Sequence, residues 1–177
     1  MRKVVGVSDL KVSENVGEVI ITYALGSCLG ITAYDPVARV GGMVHVMLPL
    51  AKADPEKAKT KPAMYVDTGL ALLLNEVYNL GAQKKNLEIT VAGGSSMKKN
   101  EEEDYFKIGK RNFTVLRKLL WKNGFIIANQ SVGGAISRTM TLSIADGLVE
   151  INKQPINKAN RPEGVQLSGS YRQTATV

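Results

Sequence analysis

Cys28 is the only cysteine of the 177-residue chain, and His45 is its only histidine. Cys28 stands in Leu25-Gly26-Ser27-Cys28-Leu29-Gly30, and His45 in Gly42-Met43-Val44-His45-Val46-Met47. A thiol and an imidazole within proton-transfer reach make a nucleophile and its general base, the pair that attacks acyl carbon. The small residues ahead of the thiol, Gly26 and Ser27, leave backbone N–H groups accessible to an oxyanion. Taken singly, each residue has an ordinary reading. A lone cysteine is more often an inert small hydrophobe, and a lone histidine on an apolar strand is more often a satisfied core residue. Sites built from cysteine and histidine take three or four ligands, so no metal centre is expected from this pair.

Whether the pair can meet depends on the strands that carry it. Leu29 to Tyr34 and Arg39 to Leu48 read as strands joined through Asp35-Pro36-Val37-Ala38, where proline presets its φ and withholds a ladder donor. A turn near Val37-Ala38 sets Gly30 opposite His45 and places Cys28 on the diagonal, roughly 7–8 Å away between backbones. A slip of one residue would send one side chain to the other face. Met43, His45 and Met47 share one face and Val44, Val46 and Leu48 the other, so His45 lies in a segment apolar on both sides. Such a segment is buried, and an unpaired polar atom there costs ~1–3 kcal/mol.

Around this hairpin the pattern is strand-rich. Lys3 to Val7, Asp9 to Val12 and Glu18 to Tyr23 are further strands, and Leu50 to Pro62, with its lysines and prolines, reads as a solvated loop. Val66, Leu70, Leu73, Val77 and Leu80 recur at helical spacing before Gly81. Leu87 to Ala92 alternates as a strand and runs into Gly93-Gly94-Ser95-Ser96. A second helix is expected from Lys110 or Asn112, with Phe113, Leu116 and Leu120 inward and Gly124 closing it. Phe125 to Asn129, the alternating stretch Arg138 to Ile144, and Leu148 to Asn152 after the Asp146-Gly147 turn complete the set. The fold class expected is α+β: a layered sandwich of mixed sheets with two main helices.

A chain with 44% hydrophobic residues can bury the core of one domain. The expected division is 1–154 as that domain and 155–177 as a basic, flexible tail. No secretory signal is visible and no apolar run approaches the ~18–20 residues that cross a bilayer, so a cytoplasmic, monomeric protein without membrane insertion is expected. The net charge of +7, from 23 Lys and Arg against 16 Asp and Glu, favours an acidic partner. Nucleic acid is not the expected one: three phenylalanines and one tryptophan supply few stacking groups, and no reading motif is present. Gly93-Gly94-Ser95-Ser96 lacks the Gly-Lys-Ser/Thr ending of a phosphate loop and reads as a structural turn lining the cleft. Tyr65 and Asp67 read as a helix start, where an acid complements the dipole, with proximity to substrate across the long preceding loop as the alternative. Arg111 and Asn112 read equally as a helix start or as contacts for a partner helix.

Together, Thr22-x-x-Leu-Gly-Ser-Cys28, Asp35-Pro36, His45-Val-Met-Leu-Pro49, Tyr65-Val-Asp67, Ala92-Gly-Gly-Ser-Ser-Met97 and Ile108-Gly-x-Arg-Asn112 resemble the CheD family of chemoreceptor glutamine deamidases, in family order over roughly Val4 to Lys153. The resemblance implies the cysteine hydrolase fold shared with cytotoxic necrotizing factor toxins. It also implies a triad in which Cys28 is nucleophile, His45 base and Thr22 the third member. It implies deamidation of glutamines on receptor helices without a cofactor, and a second partner in the phosphatase CheC. A non-catalytic adaptor binding chemoreceptors or CheC is the alternative. One departure stands out: the family's glycine-arginine pair is Ser137-Arg138 here.

Overall fold

The computed structural model describes residues 1–96, 106–156 and 171–172. In chain order its strands are β1 (Arg2–Val5), β2 (Leu10–Ser13), β3 (Val19–Leu25), β4 (Leu29–Asp35), β5 (Val40–Val46), β6 (Glu88–Gly93), β7 (Ile127–Val132), β8 (Ile136–Ser143), β9 (Val149–Pro155) and β10 (Tyr171–Arg172). The helices are α1 (Pro55–Thr60) and α2 (Val66–Asn79), both between β5 and β6, and α3 (Ile108–Lys122) between β6 and β7. Two mixed sheets form, one in the order β1-β3-β8-β9-β10 and the other β2-β5-β4-β6-β7.

Strand parity decides the layering. Leu29, Ile31, Val44 and Val46 point from the second sheet into a core shared with Val66, Leu70, Leu73 and Val77 of α2 and Leu116 and Leu120 of α3. The opposite parity, Tyr34 and Met43, packs against Val5, Ile20, Leu25, Met140 and Leu142 of the first sheet. The layers are therefore sheet, sheet and helices, the α+β sandwich expected. With covered faces on both sides, β4 and β5 are buried at every residue. That is why their sequences are apolar without alternation.

The β4–β5 register is the one read from the turn: Gly30 pairs with His45 and Leu29 with Val46. The Asp35 carboxylate accepts from the N–H groups of Val37 and Ala38, which closes that turn.

Two expectations need correction. Leu50 to Pro62 is not simply loop: it holds α1, whose first turn begins at Pro55 with Asp54 accepting from the Lys57 N–H at 3.0 Å, between two short 3-10 turns. Proline at a first helical position costs no hydrogen bond, so the residue that suggested a loop here starts a helix. The strand placed at Phe125 to Asn129 is β7, beginning two residues later, because the Phe125 N–H closes α3 by donating to the Leu120 carbonyl. The tail of 155–177 falls mostly outside the described residues, and the acidic run Glu101 to Asp104, which reads in the sequence as a solvated insertion, falls wholly outside them. Within the tail, Tyr171 pairs with Ile151 of β9.

Candidate active site

His45 is held first through its backbone. Its N–H donates to the Asp9 carbonyl at 3.0 Å and its carbonyl accepts from the Ser8 N–H at 2.9 Å. Both backbone groups thus face away from β4, which makes Gly30–His45 a non-hydrogen-bonded pair, the closer kind of cross-strand pair. The imidazole, 1% exposed, points toward the first sheet. There the Thr22 hydroxyl lies 2.8 Å from Nδ1 and donates to the Val5 carbonyl at 2.8 Å. A hydroxyl has one proton. Since Thr22 gives it to Val5, the hydroxyl oxygen accepts from Nδ1–H, and the lone pair of the neutral ring is left on Nε2. Nε2 is buried without a hydrogen-bond partner among the described residues. Burial lowers the His45 pKa from 6.5 to about 4, so the ring is neutral at pH 7.

Thr22 lies on β3 just before an irregularity: the register against β8 shifts between Thr22 and Leu25, and Ala24 there has φ 55°. Such bulges re-aim neighbouring side chains.

Cys28 immediately precedes β4, half-buried and packed against the inter-sheet core, hence on the same face of the second sheet as His45. The Gly30–His45 register is the one that a diagonal relation of Cys28 to His45 requires, and no Cys28–His45 hydrogen bond is present among the described residues. Burial pushes the thiol up from its ordinary pKa, and its own backbone N–H pulls it partly back. The resting pair is accordingly a neutral thiol and a neutral imidazole, rather than the ion pair that chemistry at a more exposed site would favour.

The loop carrying Cys28 is held by three consecutive carbonyls. Gly26 accepts from the Ser95 N–H at 2.9 Å, Ser27 from Asn112 Nδ2 at 3.0 Å, and Cys28 from the Gly94 N–H at 2.9 Å. The Gly93-Gly94-Ser95 turn is thus a structural brace for the loop that carries Cys28. A Cβ on Gly93, whose φ is +111°, would fall 2.1 Å from the Cys28 carbonyl oxygen, so only glycine permits this approach. Arg138, 3% exposed, fixes the brace from behind. Its guanidinium donates to Ser131 Oγ, Ser95 Oγ and the carbonyls of Ile136 and Gly133 at 2.7–3.1 Å. Ser137 in place of glycine leaves this arginine in β8.

Tyr65 immediately precedes α2 and Asp67 lies in its first turn, the helix start expected. Tyr65 is 1% exposed, and the Asp67 carboxylate accepts from the N–H groups of Ala51 and Thr68. Ser95 in its turn, Asn112 at a helix start and Arg138 in its strand were each read in their own segments, but not the hydrogen bonds by which they reach this neighbourhood, because each comes from a distant part of the chain. The recurrence of Asn112 on the buried stripe Gly109, Leu116, Leu120 was the one local signal.

The family described as CheD chemotactic sensory transduction matches residues 47–153. A protein of Syntrophus aciditrophicus named "Probable chemoreceptor glutamine deamidase CheD 1" is 45% identical over 146 residues, 82% of this chain and 90% of that protein. A namesake from Solibacter usitatus is 41% identical over 167 residues, 94% of this chain and 98% of its own, and one from Pyrococcus abyssi 44% over 149, covering 84% and 90%. With a family match across more than half its length and relatives aligned over most of the rest, the chain belongs to the CheD family.

Proposed function

We propose that this protein is a chemoreceptor glutamine deamidase in which Cys28 is the nucleophile, His45 the general base and acid, and Thr22 the residue that orients the ring. The observation that carries the residue roles is the Thr22–His45 hydrogen bond, which commits the imidazole to the tautomer with its lone pair on Nε2.

As the Cys28 sulfur attacks the side-chain carboxamide carbon of a glutamine, its proton passes to Nε2. Neither group is charged at rest, so the thiolate forms only as the bond to carbon forms. The oxyanion is met by backbone N–H groups at Ser27 and Cys28, and Gly26 keeps the approach clear. The three braced carbonyls support this role, because a loop whose carbonyls are turned into the protein is preorganised, and an aimed donor contributes about 3 kcal/mol at the transition state. Nε2–H then protonates the departing nitrogen, which leaves as ammonia, and a thioester joins Cys28 to the substrate. Water attacks the thioester, Nε2 takes its proton and returns it to sulfur, and glutamate is released.

The substrate is the cytoplasmic helical region of chemoreceptors, with CheC as a second partner, and the protein works as a cytoplasmic monomer. The outward face of α3 suits an acidic receptor surface: Lys110, Arg111, Arg117, Lys118 and Lys122 lie on it, and α3 contains no acid. No described helix is long and apolar enough to cross a membrane.

Incubation with a receptor fragment is expected to release ammonia and to give the amide-to-acid mass change at defined glutamines. Cys28→Ala and His45→Ala should abolish both. Receptor binding without ammonia release would instead make the protein an adaptor, and full activity in either variant would remove that residue from the mechanism.

A further inference from the structure

Asn112 occupies a position on α3 where a leucine would be expected. It is 0% exposed, on the inward stripe with Gly109, Leu116 and Leu120, and asparagine is a poor helix former. Its Nδ2 donates to the Ser27 carbonyl at 3.0 Å and to the Met47 carbonyl at 3.0 Å. Two carbonyl acceptors fix which end of the amide faces them.

Those acceptors lie just beyond the last paired residues of the β4–β5 hairpin, Leu29 and Val46. Past that pair the strands diverge: Met47 and Leu48 donate to the Met64 carbonyl, while the Cys28 carbonyl turns to Gly94. Cys28 therefore sits where the ladder opens, and Asn112 replaces the missing rung. One amide joins the residue before the thiol to the strand that continues from His45.

The third observation concerns cost. Asn112 Oδ1 is buried with no hydrogen-bond partner among the described residues. An unpaired buried acceptor is destabilising, so stability alone does not account for an amide at this position.

We propose that Asn112 is a positioning residue: it sets the width of the opening between β4 and β5, and thereby the separation across which the Cys28 proton reaches His45 Nε2. This rests on the assignment of Cys28 and His45 above, and it goes beyond it by naming the group that holds the two in register.

The test uses Asn112→Ala, which removes both donors, and Asn112→Ser, which keeps one. Folding is checked by circular dichroism. Cys28 alkylation by iodoacetamide is then followed from about pH 5 to pH 9, and kcat and KM are measured with a receptor fragment. In folded Asn112→Ala the alkylation profile should move toward that of His45→Ala, and kcat should fall about tenfold to a hundredfold with little change in KM. Asn112→Ser should recover part of both. A folded variant with the wild-type profile and kcat overturns the proposal, as does failure of both variants to fold, which would assign Asn112 to the fold alone. Alkylation needs no receptor, so these outcomes are distinct from failure of the deamidase reading, in which the wild type itself releases no ammonia or Cys28→Ala remains active.

Discussion

The hydrogen bond between Thr22 and His45, 2.8 Å long, joins two different sheets: Thr22 belongs to β3 and His45 to β5. The proposed triad is therefore assembled only when the sheets are packed face to face. Gly30, opposite His45, leaves the room for this contact. The fold and the proposed chemistry meet at this contact, since the interaction that selects the ring tautomer is also one that crosses the core.

Thr22→Val tests that relationship with almost no change of shape. The variant leaves the imidazole Nδ1–H unpaired, costing about 1–3 kcal/mol of stability. It also frees the ring to adopt the other tautomer, so kcat for ammonia release should fall about a hundredfold without reaching zero. Thr22→Ser should restore most of it. Equal activity in Thr22→Val and wild type, measured below their melting temperatures, would show that the hydroxyl does not orient the base.

His45 is the sole histidine, so its proton NMR signals can be followed without assignment ambiguity. The ring should remain neutral throughout the range where an exposed imidazole titrates and should protonate near pH 4. The folded pKa lies below the unfolded value, so between the two the unfolded state binds more protons. The associated stability is fully present above about pH 6.5 and is lost as pH falls toward 4, by about 3 kcal/mol in all. A titration midpoint near the ordinary value would refute the burial of the ring. Urea unfolding across the same window, with His45→Leu as the non-titrating control, measures the linked stability.

Asp35 controls the hairpin turn from its far end. Its carboxylate accepts from Val37, Ala38, the Gln83 N–H and Asn86 Nδ2. Burial pushes its pKa up, but these donors outweigh burial and hold the group below its ordinary value. Its contribution is therefore present above pH ~4 and is lost as pH falls through the lowered folded pKa. Asp35→Asn must turn its NH2 toward two donors whichever way the amide is placed. A loss of about 3 kcal/mol is expected at pH 7, measured by urea unfolding, with the difference from wild type shrinking in acid.

The parts of this architecture legible in the sequence are those governed by local pattern. The Asp35-Pro36 turn and the apolar strands beside it pointed to Gly30 against His45 but left a slip of one residue open, and the ladder has that pairing. The period of α2 and the alternation of β8 were equally plain, with Arg138, Met140, Leu142 and Ile144 all buried. α1 was missed although Asp54-Pro55 is a helix-start signal, because the surrounding lysines and prolines outweighed it. Thr22 came only from family resemblance: its partner is on another sheet, and no spacing along the chain encodes a contact across a core. Asn112, Ser95 and Arg138 were visible in their own segments, but their partners were not, since each completes hydrogen bonds with segments distant in sequence.

Gly30→Ala probes whether the sheet spacing itself matters. Gly30 does not have a positive φ, so the requirement is for room rather than backbone freedom. A Cβ would lie 2.8 Å from Leu25 Cδ1, 3.2 Å from Met140 Sδ and 3.4 Å from Thr22 Cγ2. Leu25 and Met140 are both 0% exposed, so neither can swing into solvent. Relief must come from moving the sheets apart or displacing Thr22, at about 1–3 kcal/mol, which corresponds to a melting-temperature fall of roughly 2–10 °C. Either adjustment lengthens the Thr22–His45 bond. Activity should therefore drop further than stability alone requires, with the loss persisting well below the melting temperature. If folded Gly30→Ala keeps wild-type kcat, the inter-sheet distance at this point does not govern the orientation of His45.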